Sequence, residues 1–162
     1  MEAAARIPRD RLIIRIFRYF GLRISEVSKL DIEHVDFAAG TLLVACGKGD
    51  KDRYIPIPDA ITDDLAAWVG TRYAGLMFPS PRTGRGLDVR TIRIMVDRTA
   101  QRAGITRHVH PHMLRHSYAS TLLNRGANLK DVQDLLGHAS LATTEVYLHV
   151  AVDRLRSAVN RL

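Results

Sequence analysis

The residues best suited to chemistry are two histidines and an arginine within five positions, His112-Met113-Leu114-Arg115-His116. On a helix the spacings i, i+3 and i+4 share a face, so these three side chains project together from one turn. Near a helix N-terminus, where backbone N–H groups add to the field, a His beside an Arg makes a site for an anion. The plain alternative is two structural histidines and a surface charge. A second group lies downstream, where His138 in Leu135-Leu136-Gly137-His138 precedes Tyr147 in Thr143-Thr144-Glu145-Val146-Tyr147. A tyrosine hydroxyl, with a reference pKa of about 10, is a poor nucleophile at neutral pH unless clustered cations activate its electrophile. Two arginines flanking a phosphodiester would do this. Two more cations are placed to join such a site. Arg23 follows a helix stop at Gly21, with Glu26 close enough to orient its neighbours, and Lys48 stands between Gly47 and Gly49 on a flexible turn.

Two rival chemistries use the same residues. His108, His110, His112 and His116 could in principle surround a zinc ion. However, no Asp or Glu lies between Asp97 and Asp131, and the single cysteine, Cys46, sits in the apolar run Leu42 to Cys46. Hydrolytic zinc sites usually add a carboxylate or thiolate, so no metal is expected. The stretch from Asn128 to Leu148 reads as helix, glycine turn, helix, and could enter a DNA groove. Its second helix has no Lys or Arg, which a groove-reading helix normally needs.

Charge points the same way as the anion site. The 162 residues carry 24 Lys and Arg against 17 Asp and Glu, a formal charge of +7, and 20 of the 24 cations are Arg. Residues 82 to 130 hold ten cations against only Asp88 and Asp97, so the whole surplus falls in that block. A coding bias toward arginine would spread more evenly, so a phosphate-facing surface that includes Arg90 and Arg93 is the better explanation. With 46% hydrophobic residues the chain can bury a core, and with no apolar run longer than five it has no spanning segment. The N-terminus lacks a hydrophobic signal region, so a cytoplasmic protein with no membrane contact is expected.

These residues need elements to hold them. Leu12, Ile13, Ile16, Phe17 and Phe20 recur at helical spacing from Arg9 to the stop at Gly21, and a short helical segment follows from Ser25 to Leu30. Thr41–Ala45 and Tyr54–Pro58 are β-prone and joined by a Gly- and Asp-rich turn, which predicts a hairpin. Asp59–Val69 reads as a helix. Pro79–Gly86 is a surface loop, after which Asp88 caps a helix whose buried stripe is Val89, Ile92, Val96, Ala100 and Ala103. Pro111 opens a helix that stops at Gly126, Asn128 caps another that ends at Gly137, Ser140 can cap the next, and Val150–Leu162 is amphipathic. The expected fold is α+β, mainly helical, with a small antiparallel sheet.

Taken in order, Arg23 in GLRISEV, Lys48 in GKGDKDR, His112 and Arg115 in HMLRH, His138 in LLGH and Tyr147 in TTEVYLHV resemble the catalytic domain of the tyrosine recombinase (phage integrase) family. The likeness runs from about Arg9 to beyond Arg154. It implies that Tyr147 attacks a DNA phosphodiester to give a 3′-phosphotyrosyl link, while Arg23 and Arg115 hold the non-bridging oxygens. It further implies that His112 and His138 assist proton transfer and that Lys48 protonates the leaving 5′-oxygen. The covalent link conserves the bond energy, so no cofactor is implied. The partner implied is double-stranded DNA, bound by a homo-tetramer in the full-length context, with monomeric behaviour of the isolated chain. On this resemblance, residues 1–162 form a single catalytic domain without the family's N-terminal core-binding domain. Two other functions share these residues: a non-catalytic or truncated DNA-binding regulator, and strand passage of the type IB topoisomerase kind.

Overall fold

The computed structural model describes residues 1–45 and 52–137. Lys48, His138 and Tyr147, with the helices expected after Ser140, lie outside the described residues.

Helix α1, Pro8–Phe20, is the centre of the molecule. Pro8 occupies its first turn, where a missing N–H is no loss, and Leu12, Ile13, Ile14, Ile16, Phe17 and Phe20 are all buried. Gly21 ends it in the left-handed conformation, φ 59°, its N–H donating to the Phe17 carbonyl at 3.2 Å. A side chain at Gly21 is excluded twice over, because a Cβ there would lie 2.3 Å from Cδ1 of Tyr118. Helix α2, Ile24–Ser28, follows directly, one residue earlier at its start and two shorter at its end than expected.

The sheet has three antiparallel strands in the order β1 (Val35–Asp36), β2 (Thr41–Val44) and β3 (Arg53–Pro56). The expected hairpin is its β2–β3 part, and β1 adds an edge through Val35 opposite Leu42. Leu42 and Val44 face the core from β2, and Arg53 and Ile55 face it from β3. Strand β3 therefore starts one residue before its expected place and turns a charged side chain inward.

Helix α3, Asp59–Val69, buries Ile61, Leu65 and Val69 and packs on α1. The Trp68 indole donates to the Met77 carbonyl at 2.9 Å. The loop that follows seats α2. The Ser28 hydroxyl donates to the Leu87 carbonyl at 2.6 Å, and Gly86 passes so close that a Cβ there would lie 2.1 Å from the Ser28 carbonyl oxygen. Helix α4, Val89–Arg102, is capped by Asp88, which accepts from the Arg90 N–H at 2.7 Å. Ile92, Met95, Val96, Thr99 and Ala100 form its buried stripe; Ala103, expected on that stripe, is the exposed C-cap residue. Helix α5, Pro111–Asn124, crosses α1, and α6, Leu129–Leu136, packs on α5 through a small second core of Ala119, Leu123, Val132 and Leu136. Among the described residues no helix is long and apolar enough to cross a membrane.

Gly86 gives a direct check on how the loop holds α2. Overpacking a tight site costs about 1–3 kcal/mol, and here the obstacle is backbone rather than a flexible side chain. Gly86→Ala should lose about that much stability in urea denaturation, and parental stability would show that the loop does not seat on Ser28.

Candidate active site

The site is assembled around one carboxylate. Glu26 lies in the first turn of α2, where its Oε2 accepts the Arg23 backbone N–H at 2.6 Å and so caps the helix from within. Only 8% of its side chain is exposed. A carboxylate withdrawn from water this far needs cations. Arg53, from the inward face of β3, forks onto it with Nη1 to Oε1 at 2.9 Å and Nη2 to Oε2 at 3.0 Å. Arg23 Nη1 donates to Oε1 at 3.2 Å, and Arg115 Nη1 comes within 3.9 Å of Oε2. Three guanidiniums thus surround one carboxylate, and the four groups carry a surplus of two positive charges.

Each arginine also grips the end of α6. Arg53 Nε donates to the Leu135 carbonyl at 2.8 Å, Arg115 Nη2 to Leu136 at 2.6 Å, and Arg23 Nη2 to Gly137 at 2.8 Å. The last carbonyls of a helix lack intrahelical partners and carry the negative end of its dipole, so cations are the natural partners there. Arg115 is tied in addition to α1, its Nη1 donating to the Gly21 carbonyl at 2.7 Å. It is 4% exposed, which removes the alternative of a surface charge.

Burial by itself would raise the Glu26 carboxyl. Hydrogen bonds from Arg53 and from the Arg23 backbone, with the charges of Arg53 and Arg115, outweigh it and hold the group below its ordinary value. Tyr118, one turn beyond Arg115, is moved the opposite way. Burial pushes its hydroxyl up, and the Arg53 and Arg115 charges only reduce that rise, so Tyr118 is not primed as a nucleophile. Its ring serves to pack over Gly21.

Of the residues singled out in sequence, the structure brings Arg23 and Arg115 together from positions 92 apart in the chain. His112 lies one turn before Arg115 on α5, and it is exposed. His108, His110 and His112 run alongside one another with ring centroids 6.1 and 6.5 Å apart, and His108 Nδ1 pairs with Asp97 at 2.8 Å. Among the described residues no three His, Cys, Asp or Glu side chains converge as a metal site. Arg90 and Arg93 are exposed on α4. Arg53 closes the motif GKGDKDR, but no local feature of the sequence assigns it to the site. Its signal was the alternation with Ile55, hidden because the strand was expected to start at Tyr54.

The depressed Glu26 carboxyl sets a pH window. A carboxylate held low in the folded state stabilises above its unfolded value, and that contribution is lost as the pH falls through the folded value. Breaking a buried ion pair at one partner costs about 3–5 kcal/mol. Glu26→Gln should therefore be about 3 kcal/mol less stable than the parent at pH 7 by urea denaturation. The gap should narrow below the ordinary value of 4.5. A gap that stays constant down to acid would contradict the ion-pair role.

Comparison with known proteins places the chain in a family. Residues 1–154 match the phage integrase family. The tyrosine recombinase XerC of Oceanobacillus iheyensis is 39% identical over 160 residues, covering 93% of this chain and 52% of that protein. That of Corynebacterium efficiens is 44% identical over 155 residues, covering 93% and 49%. The chain thus spans about half the length of these relatives. Among solved structures, XerA recombinase superposes with a TM-score of 0.85 at 32% identity over 99% of this chain and 59% of that one. The XerH site-specific recombinase bound to a palindromic difH substrate, in a post-cleavage complex, gives 0.76 at 32% identity over 98% and 47%. A match over nearly the whole sequence, together with the fold of a tyrosine recombinase catalytic domain, makes this chain a member of the phage integrase family.

Proposed function

We propose that the chain is the catalytic domain of a site-specific recombinase that cleaves and rejoins duplex DNA through Tyr147. The observation that carries this reading is the surplus of positive charge fixed around Glu26 by α2, β3 and α5. Tyr147 Oη attacks the phosphorus, the bond to the 5′-oxygen breaks, and a 3′-phosphotyrosyl bond takes its place. Negative charge grows on the non-bridging oxygens in the transition state, and Arg23 and Arg115 offset it. His112 and His138 hydrogen-bond the phosphate and move the tyrosine proton, and Lys48 supplies the proton to the departing 5′-hydroxyl. Reversal with a different 5′-hydroxyl rejoins the strand. Exchange between two duplexes calls for several copies on the DNA, which a homo-tetramer supplies.

A duplex nicked just beyond the scissile phosphate tests the reaction, because loss of the short 5′-hydroxyl fragment traps the covalent protein–DNA adduct. The parent should form the adduct and Tyr147→Phe should not; an equal yield from both would refute the assignment of the nucleophile. Arg115→Lys should slow adduct formation on the order of 100-fold or more, since a point charge cannot keep both the Gly21 and Leu136 contacts and still meet the phosphate.

The exposed Arg90 and Arg93 are assigned to the DNA backbone. Replacing either with Ala should weaken binding by a similar factor on unrelated sequences and reduce the salt dependence of log K by about one per contact. Unchanged salt dependence would place the DNA elsewhere.

A further inference from the structure

We propose that Arg53 is a positioning residue for strand cleavage, which neutralises Glu26 so that Arg23 and Arg115 remain directed at the phosphate. The inference rests on the reaction proposed above and adds a residue to it.

The argument begins with competition for one carboxylate. Arg53 takes both oxygens of Glu26 in a fork at 2.9 and 3.0 Å, the geometry in which a guanidinium satisfies a carboxylate most fully. The other two arginines stand farther off, at 3.2 Å for Arg23 and 3.9 Å for Arg115. With Arg53 removed, a buried carboxylate would remain and would draw those two cations onto itself. The four-group surplus would fall from two positive charges to one, at the place where the transition state gains negative charge.

A second observation ties Arg53 to the turn that precedes His138. Its Nε holds the Leu135 carbonyl, and its guanidinium lies directly beneath Gly137, where a Cβ would come within 2.9 Å of Nη1 and 3.2 Å of Cζ. Gly137 is itself left-handed, φ 64°, and receives Arg23 on its carbonyl. One buried side chain, 8% exposed, therefore spans the base of the β2–β3 hairpin, the carboxylate under both phosphate-facing arginines, and the end of α6. Lys48 lies in the sequence between β2 and β3.

The test is a double-mutant cycle on the full chain with the nicked duplex. Arg53→Met should slow adduct formation about 100-fold while DNA affinity stays within about threefold, because the surface arginines are untouched. Adding Glu26→Gln to Arg53→Met removes the uncompensated carboxylate and should restore at least tenfold of the lost rate. A packing role alone gives no such rescue, because the second substitution would only remove more contacts. Parental cleavage by Arg53→Met, or a double variant no faster than the single, would overturn the proposal. Should Arg53→Met fail to fold, Arg53→Lys keeps the charge without the fork and should cleave at an intermediate rate that Glu26→Gln raises; no rise would likewise overturn it. A parent that forms no adduct refutes the proposed reaction itself, an outcome distinct from any difference among these variants.

Discussion

Taking the Glu26 carboxylate out of water is unfavourable by several kcal/mol unless cations meet it, and most of the architecture can be traced to how they are delivered. The three arginines come from elements far apart in the chain, so each element must be fixed against another. Helix α2 is held by the Ser28–Leu87 hydrogen bond and by the close pass of Gly86. Strand β3 is held by the register that sets Val44 opposite Arg53 and Leu42 opposite Ile55. Helix α5 is held on α1 by Tyr118 lying over Gly21, whose carbonyl then accepts Arg115. The same glycine ends α1, admits the aromatic ring and anchors the buried Arg115.

The far side of this arrangement is the end of α6. Leu135, Leu136 and Gly137 present successive carbonyls, and each is taken by a different guanidinium. This satisfies the helix end and fixes the arginines in orientation before any substrate arrives. Preorganisation of that kind is what makes electrostatic stabilisation effective, since no dipoles have to turn as charge develops. It also explains why the site tolerates like charges side by side: the guanidiniums are held by carbonyl dipoles and one carboxylate.

The helices were legible because their signals are local. Apolar spacing of 3.6, caps at Asp88 and Asn128, and stops at Gly21 and Gly137 all act within a turn or two of chain. Strand β1 is two residues long and has no alternation to display; it exists because Leu42 and Thr41 pair with it. Helix α5 shows little segregation of polar from apolar residues, because its buried face includes the charged Arg115. Arg23 and Arg115 could be singled out by type and local context, but the burial of Arg115 could not. Arg53 was hidden for a related reason: its partners Glu26 and Leu135 lie 27 and 82 residues away, and nothing nearby in sequence encodes either contact.

Burial also divides the arginines by what salt can do to them. Arg90 and Arg93 stand in solvent on α4, where a Debye length of about 8 Å at physiological ionic strength screens all but their nearest charges. Arg115 and Arg53 are buried with fixed partners, where salt screens much less. The surplus charge of the sequence therefore serves two physical ends. Exposed cations act with a strength that follows ionic conditions, while the field of the buried cluster is screened much less. Under the proposed function, separating them lets encounter with DNA remain reversible without weakening the groups assigned to the reacting phosphate.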